Sequence, residues 1–256
     1  MSFEFFVARR YLFSHRKQAF IYVISLMSII GVALGVAALV VVLGVYNGLT
    51  TDMRDKILGA NAHGIVLSYI PDAFGKNPGL RDEILRTPGV TGATPFIYTE
   101  VMLSSGDGVK GLMLRGVDPR TAPGVLSMLK AIKKGAINGL ETGDGTPGII
   151  GEELAKHIGL GMGSRVNLLS PSGEKTTAGF QPRIRPFEVA GIFKTGMYEY
   201  DSSLAFVTLD AARELLGLDP GFLSGIEITV DDVYRADEIT KELTDNIGNP
   251  FYARSW

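Results

Sequence analysis

From Gln18 to Thr51 the sequence carries no charged side chain, and its most apolar part, Ala19 to Tyr46, includes the run Val40, Val41, Val42 and Leu43. A bilayer core about 30 Å thick needs about 20 helical residues. The stretch is therefore long enough to span with tilt, or to continue past the interface. A buried helix of a soluble domain is seldom apolar on every face for such a length. A cleaved signal peptide has an apolar region of only about 7–15 residues, ended by small residues. This run is longer, and a separate patterned segment precedes its basic flank. The sequence thus predicts one transmembrane helix over 19–46. Arg9, Arg10, Arg16 and Lys17 precede it, opposed by Glu4 alone, whereas Asp52, Arg54, Asp55 and Lys56 behind it are mixed in sign. Positive charge is retained on the cytoplasmic side, so the N-terminus is expected there and residues from 47 onward outside.

Within the span, Gly31 and Gly35 are four residues apart, with Ser28 and Ala38 on neighbouring turns. Small residues on one face let a second helix approach closely, although glycine is also common in membrane helices generally. Residues 1–18 form a cytoplasmic segment in which Phe3, Phe6, Tyr11 and Phe13 alternate with Arg9, Arg10 and His15. That pattern suits a short amphipathic helix at the interface, or an ordinary flank.

The remaining residues suffice for one large or two small domains. Formal net charge is −2, which provides no basic field and argues against nucleic acid as a partner. Mean hydropathy is +0.20. There is no cysteine, which removes thiolate chemistry, disulfides and cysteine-ligated zinc together.

Beyond the span the pattern is α+β. Strands are predicted at His63–Ile70, Thr94–Ser104, Gly111–Gly116, Arg165–Leu169, Pro186–Phe193, Leu204–Thr208 and Ile226–Val230. Helices are predicted at Asn77–Arg86, Gly151–Ile158, Asp210–Leu216 with Asp210 as N-cap, and Tyr234–Ile247. Gly135–Gly148 reads as a loop or subdomain junction.

Catalytic patterns are missing. Ser172-Gly173-Glu174-Lys175-Thr176 lacks the glycine and the Gly-Lys pair that a phosphate-binding loop requires. No nucleophile elbow occurs. His15, His63 and His157 fit no metal spacing. Glu152 and Glu153 open a helix, where its dipole favours them. Glu199 and Asp201 flank Tyr200 in what reads as a solvated turn. No cofactor, no metal and no enzymatic role is expected.

Ser170 to Arg185 stands apart. It joins two neighbouring strands but is longer than a hairpin turn needs. Pro171 and Pro182 stiffen its ends, Gly173 and Gly179 permit bends, Phe180 is an isolated aromatic, and Arg183 and Arg185 follow. A projecting loop with one aromatic and nearby arginines suits partner contact, or a merely permissive insertion.

Several stretches together resemble the lipoprotein-releasing ABC permeases of the LolC/LolE type. They are Leu34 to Gly48, Arg54 to Gly59, Gly191-Ile192-Phe193, Gly196 to Ser203, Ser224 to Glu227, and the terminal Ser255-Trp256. The resemblance covers nearly the whole chain. It implies a bacterial inner-membrane permease with a MacB-like periplasmic domain over 47–256. The porter-like part is expected at 47–119 and 224–256, and the sabre-like part at 120–223. It implies a LolD-type ATPase, a second permease subunit of LolC or LolE type or a second copy, acylated lipoproteins as cargo, and the periplasmic chaperone LolA as recipient. Ser170–Arg185 corresponds to a chaperone-binding hook, with Pro171 or Pro182 as its proline and Arg185 as its basic residue. Gly31, Gly35, Ala38 and Tyr46 are expected to serve helix packing or the lipid path. Tyr46 stands where the family pattern has Met. The family has further membrane helices after its periplasmic region, and this chain ends at Trp256 before them, so as given it is not expected to couple to ATP hydrolysis. The alternatives are a MacB- or FtsX-type permease for efflux or cell-wall regulation, in which such a hook is not expected, and a membrane-tethered binding or sensory protein.

Overall fold

A computed structural model describes residues 3–12, 19–106, 108–142, 146–176 and 179–255. They fall into two compact units, Met1–Lys56 and Ile57–Trp256. The first contains α1 (Phe3–Leu12) and most of α2 (Ala19–Ala60). With 42 residues, α2 is about 63 Å long at about 1.5 Å per residue, so it continues well past a bilayer core. Its portion Tyr22–Asp52 is long and apolar enough to cross a membrane, and its most apolar window has no buried residue. Phe3 and Phe6 on α1 are exposed. Phe13, His15, Arg16 and Lys17 of the expected amphipathic and basic flank lie outside the described residues.

The second unit runs β1 (Gly64–Ser68), α3 (Ala73–Lys76), α4 (Leu80–Ile84), β2 (Val90–Ser105), β3 (Gly108–Val117), α5 (Ala122–Val125), β4 (Ile132–Gly135), β5 (Thr146–Gly151) and α6 (Glu152–His157). It continues with β6 (Arg165–Thr176), β7 (Gly179–Phe193), α7 (Tyr198–Ser203), β8 (Leu204–Thr208), α8 (Leu209–Leu216), β9 (Gly225–Val230), α9 (Ala236–Ile247) and β10 (Phe251–Ser255).

The long strand β2 organises the unit. Its first half pairs with β9, as in Ala93↔Ile228. Its second half pairs with β6, as in Leu103↔Leu168, and on its other edge with β3. From β3 the pairing passes to β8, β5, β7 and back to β6. The strands β2, β3, β8, β5, β7 and β6 therefore close into a ring, which removes their free edges. Alternate residues fill its interior, among them Ile97, Leu103, Leu114, Leu168, Phe187 and Val207. On the outer wall Ile149, Phe193, Leu204 and Phe206 form a second core with Ala62, Leu126 and Leu140. Beyond the ring, β10, β1 and β9 extend from the first half of β2. Helices α4 and α9 cover that extension over Val66, Ile84, Ile228, Leu243 and Phe251. The buried positions of α9 are Ala236, Ile239, Thr240 and Leu243, the spacing of one helical face.

Three expectations change. Residues 135–148 are not simply a loop: β5 starts there and forms the ring's wall between β8 and β7. Its glycines mark close approaches, as strand glycines often do. A Cβ on Gly148 would strike the Phe187 ring, and one on Gly151 the backbone of Asp201. Asp210 is not the N-cap of α8. Thr208 is, its hydroxyl accepting from the Ala211 N–H at 3.2 Å. The expected helix over Asn77–Arg86 forms only as α4, Leu80–Ile84, and Pro78, whose ring and missing N–H do not continue a helix, separates it from the preceding turn α3.

Candidate functional site

The segment Ser170–Arg185 is not a loop. Strands β6 and β7 carry their register straight through it, from Leu169↔Ile184 to Thr176↔Gly179, with one irregularity between Ser170 and Gly173. That irregularity accommodates Pro171, which has no N–H to give to a ladder, and Pro182 sits opposite Gly173 where β7 has no second partner among the described residues. The ring releases the hairpin at this point. Beyond Leu169, β6 has no described partner but β7, and before Phe187, β7 has none but β6. The outer half is therefore a two-stranded arm. Residues 177 and 178, and the side chain of Phe180, lie outside the described residues.

Strand parity gives the arm two unlike faces. Continuing the core parity past Leu168 and Phe187 come Arg185, Ser170 and Arg183. Arg183 is half-buried, and its guanidinium lies over Gly217, where an added Cβ would fall 1.0 Å from Nη1. Gly217 ends α8 in the left-handed conformation, so this cation rests at the negative end of a helix. Arg185 is exposed, its Nη2 3.9 Å from Glu214 Oε2, a solvated pair that contributes little.

The opposite parity is apolar. Ile184, Leu169, Met102 and Gly111 stand directly across from one another on β7, β6, β2 and β3. Ile184 is 56% and Met102 55% exposed. Met102, Gly111 and Leu169 line a groove of about 590 Å³ together with Met113, Pro171 and Pro182. Sequence reading missed this stripe because it is assembled from four strands. The alternation Arg183-Ile184-Arg185 was the available signal, since it places the isoleucine opposite the arginines.

In the membrane span, a Cβ added at Gly31 or Gly35 would meet nothing within 4 Å, and Tyr46 is exposed. Among the described residues no group of three or more His, Asp or Glu could hold a metal.

With this geometry in hand, residues 25–246 match the family described as the MacB-like periplasmic core domain. The chain belongs to that family. Its curated relatives include a lipoprotein-releasing system transmembrane protein LolC of Neisseria meningitidis serogroup B, 31% identical over 94% of this chain and 58% of the relative. Another is a LolE of Haemophilus influenzae, 26% identical over 100% of this chain and 62% of the relative. The resemblance to LolC/LolE permeases thus holds along the chain, which spans about three fifths of these relatives. Among solved structures, the periplasmic region of MacB from Actinobacillus actinomycetemcomitans is similar with a TM-score of 0.48 and 11% identity, covering 77% of this chain and 89% of that one.

Two polar features of this MacB-like domain were not legible beforehand. Arg115 on β3 and Glu227 on β9 form an ion pair across β2, with side chains 6% and 3% exposed. Arg115 Nε and Glu227 Oε2 find no other described partner. Tyr98 lies beside them, and partial burial raises its phenol above the ordinary value, against the lowering field of Arg115. Asp201, expected in a solvated turn, is 2% exposed. Its carboxylate accepts from the N–H groups of Thr195 at 2.8 Å and Gly196 at 3.0 Å and from the Thr195 hydroxyl. It closes the turn between β7 and α7, a structural task.

Proposed function

We propose that the chain belongs to a permease of an ATP-driven complex that releases acylated lipoproteins from the inner membrane and hands them to a periplasmic chaperone of the LolA type. Its partners would be a LolD-type ATPase and a second permease subunit. The reading rests on the LolC/LolE relatives together with one observation of geometry, the arm that leaves the ring at Leu169 with its own register intact. In it Pro171, Gly173, Gly179, Phe180, Pro182, Arg183 and Arg185 form the chaperone-engaging hook. Arg185 offers the exposed charge, whereas Arg183 mainly fastens the base to α8. Gly31, Gly35, Ala38 and Tyr46 serve helix packing or the lipid path in the membrane. The basic flank supports a cytoplasmic N-terminus and a periplasmic second unit. The porter-like part is kept at 47–119 and 224–256 and the sabre-like part at 120–223, with β2 and β3 of the former pairing into the same ring as β5, β6, β7 and β8 of the latter.

Chaperone binding tests the proposal. The chaperone from the same organism is titrated against the solubilised chain, the Arg185→Ala variant, and a variant with 173–179 replaced by a short Gly-Ser turn. Circular dichroism checks that each is folded. An interface arginine is worth about 2 kcal/mol or more on truncation, about a thirtyfold loss of affinity. In the same experiment the chaperone is to bind spheroplasts carrying the chain and not sealed inverted vesicles. Parental affinity in the folded arm-replacement variant sinks the hook, and binding to the inverted vesicles alone sinks the orientation.

A further inference from the structure

One end of the sheet concentrates positive charge on a chain whose formal net charge is −2. Residues 119–140 include Arg120, Lys130, Lys133 and Lys134 and no acidic residue. Arg120 lies 3.9 Å from Glu141. The three lysines are exposed, and among the described residues none of their ammonium groups has an ion-pair partner.

Local structure turns them outward. Leu129 and Ile132 pack on the outer-wall core, and Lys130 and Lys133 directly follow these anchors. Strict alternation would send Lys134 the way of Ile132. The ladder instead steps from Ile132↔Phe193 to Lys134↔Ile192. Lys133 is thus an extra residue, and such a bulge re-aims the side chain beside it. β4 ends the sheet, with β7 as its one described partner. Lysines and a bulge both guard a free edge. Charges of either sign would repel a second strand there, yet this segment uses one sign alone.

Chain length limits what these lysines can meet. The apolar part of α2 ends at Asp52. Ala62, ten residues on, is buried in the same core as Met128 and Leu129. Ten residues reach about 15 Å as helix and about 35 Å fully extended. The unit Ile57–Trp256 has a radius of gyration of about 16 Å for its length. The tether is therefore comparable with the domain's own radius, and it enters at the core that anchors the lysines. This bound comes from chain length alone and holds for any lean of the domain. A membrane of anionic lipids is a polyanion held permanently within that reach. Each lysine close to such a surface is worth about a fivefold shift in binding.

We propose that Lys130, Lys133 and Lys134 seat this face of the domain on anionic phospholipid headgroups of the membrane that holds α2. The proposal needs the span alone, so it stands or falls separately from the permease reading.

Energy transfer tests it on the intact chain in nanodiscs. The chain has no cysteine, so a single donor fluorophore can be attached through Ala136→Cys, an exposed position two residues past Lys134. A sparse acceptor is carried on lipid headgroups. Transfer should be high in phosphatidylglycerol and fall in phosphatidylcholine. It should also fall in about 1 M salt, where the Debye length is about 3 Å. Lys133→Gln should lower the ratio of seated to free molecules about fivefold, and Lys130→Gln, Lys133→Gln and Lys134→Gln together about a hundredfold. Lys130→Glu, Lys133→Glu and Lys134→Glu together keep the edge charged but reverse its sign, and should abolish the transfer. Far-UV circular dichroism checks the fold of each variant, and the comparison of lipids requires none of these substitutions. Equal transfer in the two lipids, or transfer that survives in the folded glutamate variant, overturns the proposal and leaves the lysines as guards of the edge. Loss of transfer on adding inorganic phosphate, but not chloride of equal ionic strength, would assign the lysines to a free anion and overturn it as well.

Discussion

The inner and outer halves of the β6–β7 hairpin share strands and register but differ in what surrounds them. In the inner half Val166, Leu168, Phe187 and Val189 are buried, with β2 pairing one side and β5 the other. In the outer half Pro171, Pro182, Ile184 and Arg185 are exposed, and the strands have each other alone among the described residues. An isolated two-stranded hairpin is marginal in water. The outer half therefore takes its order from the inner half, and its side chains are left free to meet something else. A strand can serve as core at one end and as contact surface at the other only if its far end leaves the sheet.

The largest expected effect tests that division of labour. Phe187→Ala removes a fully buried ring from the interior of the ring of strands and should destabilise the domain by about 3–5 kcal/mol. Ile184→Ser, three residues away on the same strand, should change stability by no more than about 0.5 kcal/mol. Chemical denaturation monitored by far-UV circular dichroism measures both. Comparable losses would mean that the arm is packed like the base and that the comparison fails.

A second measurement sharpens the contrast for charge. Arg185 is solvated, while Arg115 and Glu227 are buried with unsatisfied atoms on each. Arg115→Met alone should cost about 3–5 kcal/mol, because it leaves an uncompensated buried carboxylate. Arg115→Met combined with Glu227→Leu should recover most of that loss, since a buried pair often gives little over well-packed apolar residues. Arg185→Ala should not move the denaturation midpoint beyond scatter. A double variant as unstable as the single one would show that the pair itself holds β3 and β9 in register.

These contrasts also mark what could be read from the amino acids. The span was legible because nearly thirty successive uncharged, mostly apolar residues follow one rule, membrane thickness, which acts locally. Strands such as Leu204–Thr208 and Ile226–Val230 were legible from short apolar runs between turn signals. The α+β class was legible for the same reason. Closure of the ring was not, because it depends on β2 changing partner halfway along, from β9 to β6, and nothing in the composition of β2 announces the change. β5 was hidden because Gly148 and Gly151 look like loop residues until Phe187 and Asp201 are seen against them. The prolines and arginines of 170–185 correctly drew attention to the segment, but loop chemistry was inferred where a bulged hairpin exists. The apolar stripe depended on register across four strands. Asp201 was misplaced because a carboxylate in a Gly-Met-Tyr-Glu-Tyr sequence resembles a surface turn, whereas the N–H groups of Thr195 and Gly196 make it an interior cap.

The smallest expected effect lies at the inner end of the hairpin, where β7 hands over to Lys194. Glu152, on the first turn of α6, accepts from Lys194 Nζ at 2.7 Å and from Lys156 Nζ at 3.1 Å. Lys194 foremost, then Lys156, hold its carboxyl below the ordinary value of 4.5. A carboxyl group with a lower value in the folded protein than in the unfolded one stabilises the fold above the unfolded value. That contribution is lost as pH falls through the folded value. The side chains are solvated, so the effect on global stability should vanish into scatter, and the carboxyl group itself must be observed. Following the Glu152 carboxyl carbon by NMR from neutral to acidic pH should give a midpoint below 4.5. Lys194→Met should move it upward, because the larger of the two lowering interactions is gone, and Lys156→Met should move it less. If neither variant shifts the midpoint, the contact between Lys194 and Glu152 does not persist in solution. The inner end of β7 would then be as loosely tied to its surroundings as the arm at its outer end.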